Sequence, residues 1–393
     1  MKKNVCILLS ILLLIVSGCR VSTDNSVTLT GAEYDEYLED KKKIEKIEYL
    51  EQAISKDFLY DIDEKNMEDG LYKGIFASLE DPYSVYYTES EFEKLMEDNK
   101  GEFGGIGIVI TAQSSEFITV VSPIADTPGE KAGILSGDKI IAINDKVYFG
   151  DQLEEAVDTM RGEPGTEVKL TIRRLKEDEE KFEDIEMNIV REVIKVDSVR
   201  YEPLADYTYI QISSFDEHTA SDFNEAINIA KDKSLGAIID LRNNPGGLLS
   251  SVVEISDMLL PKGEIVSTID KNGNRQAQTS DKSMIDLPIV VLINGGSASA
   301  SEILAGALQD YSRAKIVGEK SFGKGVVQKI YPLDEGGYKL TVSEYYTAKG
   351  KKIHDKGVIP DVEVGLPEDA EGIGPDYLDD DRQLAKALEI IGR

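Results

Sequence analysis

Between Asn188 and about Gly365, short apolar runs alternate with amphipathic ones, and no other feature of this 393-residue chain narrows its fold as much. Tyr207–Ile212, Gly236–Leu241, Pro288–Asn294, Ala314–Val317 and Tyr338–Tyr346 read as strands. Ala220–Lys231, Leu248–Leu259 and Ser299–Gln309 read as helices between them. A helix after each strand returns the chain to the same edge, so the spacing predicts a mainly parallel sheet flanked by helices.

The other segments have different textures. Ala32 to Lys100 reads as helical: Ile44, Ile47, Leu50, Ile54 and Phe58 keep three-four spacing among Lys and Glu. A second apolar set, Met67, Leu71, Ile75 and Leu79, precedes the turn signal Asp81-Pro82, and a third helix is expected over Glu89–Asp98. Such stripes either cover a core or form a dimer contact. From Gly101 to about Arg174 glycine turns punctuate β-like runs: Gly104-Gly105-Ile106-Gly107 enters a strand, Lys139–Asn144 and Glu167–Arg173 are strands, and Gln152–Met160 is a helix. The tail Pro367–Asp381 is acidic and turn-rich, and Arg382–Ile391 reads as a short amphipathic helix. At about 150 residues per domain the length allows two or three domains. The fold class is multidomain α/β with a helical N-terminal region.

Composition excludes several functions. Seventy-four acidic against 44 basic residues give a net charge of −30, which is unsuited to neutralising nucleic-acid phosphates. The two histidines, His218 and His354, and two cysteines, Cys6 and Cys19, cannot build a Cys/His zinc constellation. No metal or cofactor is expected. Both histidines fall outside the serine and glycine motifs and read as structural.

The first residues read as an address. Lys2 and Lys3 precede an apolar run, Val5 to Val16, that ends in Ser17-Gly18-Cys19. This is a secretory signal, too short for a comfortable membrane span. Cys after Ser-Gly resembles a lipoprotein lipobox, with Val16 where Leu is usual. It implies cleavage before Cys19, acylation of its thiol, and a protein anchored to the outer face of the bacterial cytoplasmic membrane, or else secreted. Cleavage also removes Cys6, so no intrachain disulfide can form and the fold must rest on its core.

Three segments carry chemistry. In Asn294-Gly295-Gly296-Ser297-Ala298-Ser299-Ala300-Ser301-Glu302 a strand ends, glycines turn the chain and a helix begins. A serine there meets unpaired N–H groups and positive potential, which suit attack and oxyanion binding. Ser299-x-x-Glu302 also fits a helix capping box. In Gly318–Gly325 a near P-loop lacks the metal-binding hydroxyl, because residue 325 is Gly, and a strand follows instead of a helix. If that segment is extended, Lys324, Val326 and Gln328 share a face, so Gln328 is placed to hold the Lys324 amine. Burial would lower the pKa of that amine and make it a base for a Ser–Lys pair. Asp240–Gly247 ends a strand in a glycine turn that offers a second oxyanion donor.

Asn244-Pro-Gly-Gly, Ser297-Ala-Ser-Ala-Ser-Glu-Ile and Phe322-Gly-Lys-Gly-Val-Val-Gln, in this order, resemble the carboxyl-terminal processing proteases (tail-specific proteases, the S41 peptidases). Leu79–Tyr86 and Lys356–Asp361 share the resemblance, and residues 101–175 resemble a PDZ domain. The resemblance implies a ClpP/crotonase-like serine protease core with Ser299 as nucleophile, Lys324 as base and Gln328 supporting the lysine. Ala300 and Gly246 would be the oxyanion donors, and Asp310 would be structural. Gly104, Gly105, Ile106 and Gly107 would form the PDZ loop that binds a substrate's C-terminal carboxylate. PDZ position would gate the site, with Arg161 as a PDZ–core contact. The expected organisation is a leader over 1–18, a tether over 19–31, a helical region over 32–100, the PDZ module, a protease core over 188–365 and a tail over 366–393. The expected partners are protein substrates with apolar C-termini, a membrane through the lipid anchor, and a second copy through the N-terminal helices. The rivals are a non-catalytic PDZ scaffold and a small-ligand carrier on the same core.

Overall fold

The computed structural model describes residues 29–112, 116–176, 181–281 and 283–393. The leader and Cys19 lie outside the described residues. The chain divides into two units, one ending at Gly70 and one running from Leu71 to Arg393.

The first unit is led by a helix, Gly31–Asp57, which starts inside the segment expected as a tether. Thr30 sets that start. Its hydroxyl accepts the Glu33 N–H at 3.3 Å, and the Glu33 carboxylate accepts the Thr30 N–H at 2.7 Å. No residue of this helix is buried, and Tyr34, Ile44, Tyr49, Leu50 and Ile54 are exposed. The second helix, Glu64–Ala77, begins here as well.

In the second unit, a six-stranded sheet has the order Val199–Leu204, Tyr207–Ile212, Ala237–Asp240, Ile289–Ile293, Lys315–Gly318 and Val362–Glu363. Only the first pair is antiparallel. Alternate residues of the strands face two cores. Ile239, Val291 and Ile316 pack with the helices Thr219–Lys233, Leu249–Leu259 and Ala300–Asp310. Ile238, Val290 and Val317 pack with Leu384 and Ala387 of the closing helix, Arg382–Ile391. Burial on both faces explains why these strands are continuous apolar runs. The closing helix is locked by Arg242, which bridges Asp240 and Asp381 with no side-chain exposure in any of the three.

A second sheet departs from expectation. The strand Gly337–Thr347 is not part of the parallel sheet. It pairs antiparallel with Val85–Tyr87, Gly263–Asp270 and Val326–Pro332. The tight turn after Pro332, with Gly336 at φ 71°, forces the hairpin and hence antiparallel pairing. Arg275–Ser280 completes this sheet against Gly263–Asp270.

The small β unit also runs further than expected. Its sheet orders Ile108–Thr111, Ile118–Pro123, Lys139–Ile143, Glu167–Leu175 and Phe182–Val190. The last strand pairs along its whole length with Glu167–Leu175, beyond the expected close near Arg174. Only Ile189 of that strand is buried, so its sequence lacks the apolar signal of a strand. The chain enters this unit through Glu102–Gly105 and leaves through Glu192–Lys195, and these two segments pair as a ribbon.

Candidate active site

Ser299 sits between the end of Ile289–Ile293 and the start of the serine helix, Ala300–Asp310. Its backbone has φ 55° and ψ −113°, a sparsely populated conformation that costs of order 1–3 kcal/mol unless neighbours hold it. The flanking serines do some of that holding. Ser297 Oγ donates to Leu241 O at 2.7 Å, and Ser301 Oγ donates to Asn244 O at 3.0 Å. The outer serines of Ser-Ala-Ser-Ala-Ser thus tie the turn to the Leu241–Gly247 loop. The middle one is left at the mouth of the helix.

Glu302 is the hub of the site. It is fully buried, and its oxygens accept four hydrogen bonds. Oε2 takes the N–H of Ser299 at 2.9 Å and of Lys324 at 2.8 Å. Oε1 takes Ser321 Oγ at 2.6 Å and the Gly323 N–H at 2.7 Å. The capping reading of Ser299-x-x-Glu302 anticipated the first of these contacts. The other three reach the lysine loop, and sequence spacing carries no signal for them. The Val358 N–H donates to Ser321 Oγ at 2.6 Å, and the Asp355 N–H donates to Gly323 O at 2.9 Å. The segment His354–Val358 therefore clamps the loop from its other side.

Ser299, Ala300, Lys324, Gln328, Lys339 and Tyr345 line one cavity of ≈ 210 Å³, whose walls include Leu95, Leu248, Leu249, Ile303, Val326 and Ile330. Burial pushes the Lys324 amine below the ordinary lysine range, and the Lys339 charge adds to this; Asp81 and Glu302 oppose it. Lys324 Nζ lies 4.8 Å from the centre of the Tyr83 ring. The buried Tyr345 hydroxyl donates to Lys324 O. Gln328 lines the cavity but directs its amide to Val326 O at 3.2 Å and Thr341 Oγ1 at 3.4 Å rather than to Lys324. Its strand carries a bulge against Gly337–Thr347 at this point.

Gly246 is not a free donor here, because its N–H goes to Asn244 Oδ1 at 2.8 Å. It packs so closely that a Cβ would meet Ser299 Cβ at 2.7 Å. The next residue, Gly247, lines the cavity beside Ser299 and Ala300. Asp310 is buried at the far end of the serine helix, paired with Lys351 at 2.8 Å. His218 pairs with Glu102 at 2.9 Å. The His354 backbone lies behind Gly325, where a Cβ would come within 2.2 Å of the His354 backbone nitrogen. Neither histidine lines the cavity.

Comparisons with known proteins place the chain in a family. Residues 206–364 match the model of peptidase family S41, 119–174 a PDZ domain, and 18–91 the N-terminal domain of the activating protease CtpB. The chain is 46% identical over 322 residues to a carboxy-terminal-processing protease of Bartonella bacilliformis, covering 79% of this chain and 73% of the relative. The chain belongs to the carboxy-terminal processing proteases of peptidase family S41. It is also 38% identical over 346 residues to the carboxy-terminal processing protease CtpA of Bacillus subtilis, covering 86% and 72%. A solved Bacteroides fragilis chain assigned to the S41 proteases shares the fold at TM-score 0.52 and 16% identity, covering 88% of this chain and 97% of that one. The S41 fold expected from the motifs is therefore shown, as is a serine peptidase with a PDZ domain.

In this S41 protease the expected PDZ loop, Gly104 to Gly107, is buried. Gly104 and Gly105 pair with Val193 and Glu192 in the entry ribbon, so this part of the loop is also the doorway to the domain. The strand that follows, Ile108–Thr111, lies at an edge of its sheet, with Val109 exposed. Arg161, at the end of the PDZ helix Leu153–Met160, lies 3.6 Å from Glu97 and stacks on Phe103 at 4.4 Å. It lines a cleft shared with Phe215, Asp216 and Pro245–Gly247.

Proposed function

We propose that this chain is a Ser–Lys endopeptidase that selects proteins by their C-termini. The observation that carries the reading is the single cavity lined by Ser299, Lys324 and Gln328, with Glu302 tying the serine turn to the lysine loop. Ser299 Oγ attacks the scissile carbonyl and gives its proton to the neutral Lys324 amine. The resulting ammonium protonates the leaving amine as the C–N bond breaks, and water, deprotonated by Lys324, releases the acyl group. The Ala300 N–H at the helix start and the Gly247 N–H hold the oxyanion. Gly247 takes the place expected for Gly246, whose N–H is occupied. Gln328 steadies Lys324 once substrate is bound, which requires it to leave Thr341.

The exposed edge of Ile108–Thr111 supports addition of a substrate tail as an extra strand, with its carboxylate at Gly104–Gly107. Arg161 would report that event to the Pro245–Gly247 turn through Glu97 and Phe103. The leader and Cys19 support export and a lipid anchor on the outer face of the cytoplasmic membrane. The uncovered apolar residues of Gly31–Asp57 support a homodimer through the N-terminal helices.

The test incubates protein from Arg20 onward, and its Ser299→Ala variant, with an unfolded protein ending in apolar residues and with the same protein ending in charged ones. Cleavage by the parent alone, faster for the apolar tail, is expected. Binding of the apolar tail without cleavage by either would favour the scaffold reading.

A further inference from the structure

The turn Asp81-Pro82-Tyr83-Ser84 lies beside Lys324, next to the cavity that holds Ser299. Asp81 accepts the Ser84 hydroxyl at 2.6 Å and the Tyr83 N–H at 3.1 Å. Ser84 Oγ accepts the Thr341 N–H at 3.0 Å, and the strand Val85–Tyr87 pairs with Gly337–Lys339. The turn is thus bolted to the same strand that receives the Gln328 amide through Thr341 Oγ1. Its outcome is the position of one ring. Tyr83 presents its face to Lys324 Nζ at 4.8 Å, within the ~6 Å over which a ring quadrupole attracts a cation.

We propose that the Tyr83 ring receives the ammonium formed when Lys324 takes the Ser299 proton, and that Tyr83 is therefore a catalytic residue. The inference rests on the Ser299–Lys324 dyad. In the step the Ser299 O–H bond breaks and the Lys324 N–H bond forms, while the ring makes no bond. An aromatic face attracts an ammonium far more than a neutral amine, so the interaction grows as the proton moves. Tyr83 and Lys324 are both partly buried, so water screens the contact less than it would on an open surface. Burial, together with Asp355, Asp81 and Glu302, holds the Tyr83 hydroxyl above its ordinary range, so the ring stays a neutral phenol. The other charges facing Lys324 are Lys339 from the adjoining strand, Asp81 from the turn and Glu302 from the serine helix. None of these is altered by a change at Tyr83.

The consequence is a distinctive pH signature. At high pH the resting lysine is neutral, and the ring acts only in the transition state. At low pH the resting lysine is already an ammonium, so the ring acts in both states and cancels. Tyr83→Leu should lower the high-pH plateau of kcat/KM about tenfold. It should also move the rising limb to lower pH by the matching amount and leave the acid-side rate close to the parent's. Tyr83→Phe keeps the ring and should keep the limb where the parent has it. The assay uses a fluorophore-labelled unfolded protein with an Ala-Val-Val C-terminus, with Ser299→Ala and Lys324→Ala as parallel arms. A uniform loss in Tyr83→Leu with an unmoved limb, no change at all, or a limb that moves equally in Tyr83→Phe would each overturn the proposal. Residual turnover by Ser299→Ala or Lys324→Ala would instead overturn the dyad itself.

Discussion

Glu302 accepts the backbone N–H of Ser299 and of Lys324 on the same carboxylate oxygen, at 2.9 and 2.8 Å. Two residues far apart in sequence are thereby held by one buried group. The arrangement offsets the unusual backbone of Ser299 and fixes where the lysine side chain leaves the loop. Every partner of Glu302 is a donor, so an acceptor-only carboxylate fits and an amide does not.

Glu302→Gln is expected to fold and to lose about 100-fold in kcat, because the amide NH₂ must face backbone N–H groups and displace either the serine turn or the lysine loop. Steady-state kinetics beside a thermal melt will check this. A variant that melts near the parent and keeps its kcat would remove Glu302 from the account.

Activity should rise with pH along a limb that lies below the ordinary lysine range, since burial and the Lys339 charge favour the neutral amine. Lys339→Gln removes a repelling charge, so Lys324 holds its proton more tightly and the limb should move to higher pH. Lys324→Arg should be inactive at any accessible pH, because a guanidinium cannot act as the base. A pH profile of kcat/KM for the three proteins decides all of this.

Gly246→Ala should cost about 100-fold in turnover through displacement of Ser299, since the new Cβ would lie 2.7 Å from Ser299 Cβ and 2.9 Å from Ala298 O. The glycine also holds φ 107°, which adds strain for any side chain. Its effect should appear in kcat more than in KM.

Several of these relationships were visible in the sequence, and the reasons are physical. Ala237–Asp240 and Ile289–Ile293 are buried on both faces, so their apolar runs announced them, and the serine helix followed from its glycine turn and cap. Phe182–Val190 and Arg275–Ser280 were silent because their side chains are largely polar and exposed; their place comes from the neighbouring strand's backbone. The motifs around Ser299 and Lys324, whose side chains line one cavity, were legible. The hub role of Glu302 was not, because three of its four donors lie in a loop folded against it from elsewhere. The occupied N–H of Gly246 was hidden for a different reason: it depends on the rotamer of Asn244.

The closing helix makes a separate prediction. Burial alone would raise the Asp381 carboxyl, but the Arg242 contacts outweigh it and hold the group below its ordinary range. A depressed carboxyl contributes stability above the unfolded value of about 3.9, and this is lost as pH falls through the folded value. Asp381→Ala should therefore destabilise the core by about 3–5 kcal/mol at neutral pH, by leaving a buried guanidinium short of a partner. The difference from the parent should shrink in acid. Denaturant melts at neutral and acid pH will show it.

The central claim is that Ser299 and Lys324 act as one catalytic pair. The most direct test is the cleavage rate of an unfolded, apolar-tailed protein by the parent, Ser299→Ala and Lys324→Ala at a pH on the activity plateau, with melts to show that all three fold. The account predicts turnover by the parent and none detectable by either variant. Turnover by a folded Lys324→Ala within tenfold of the parent, or any by Ser299→Ala, would contradict it.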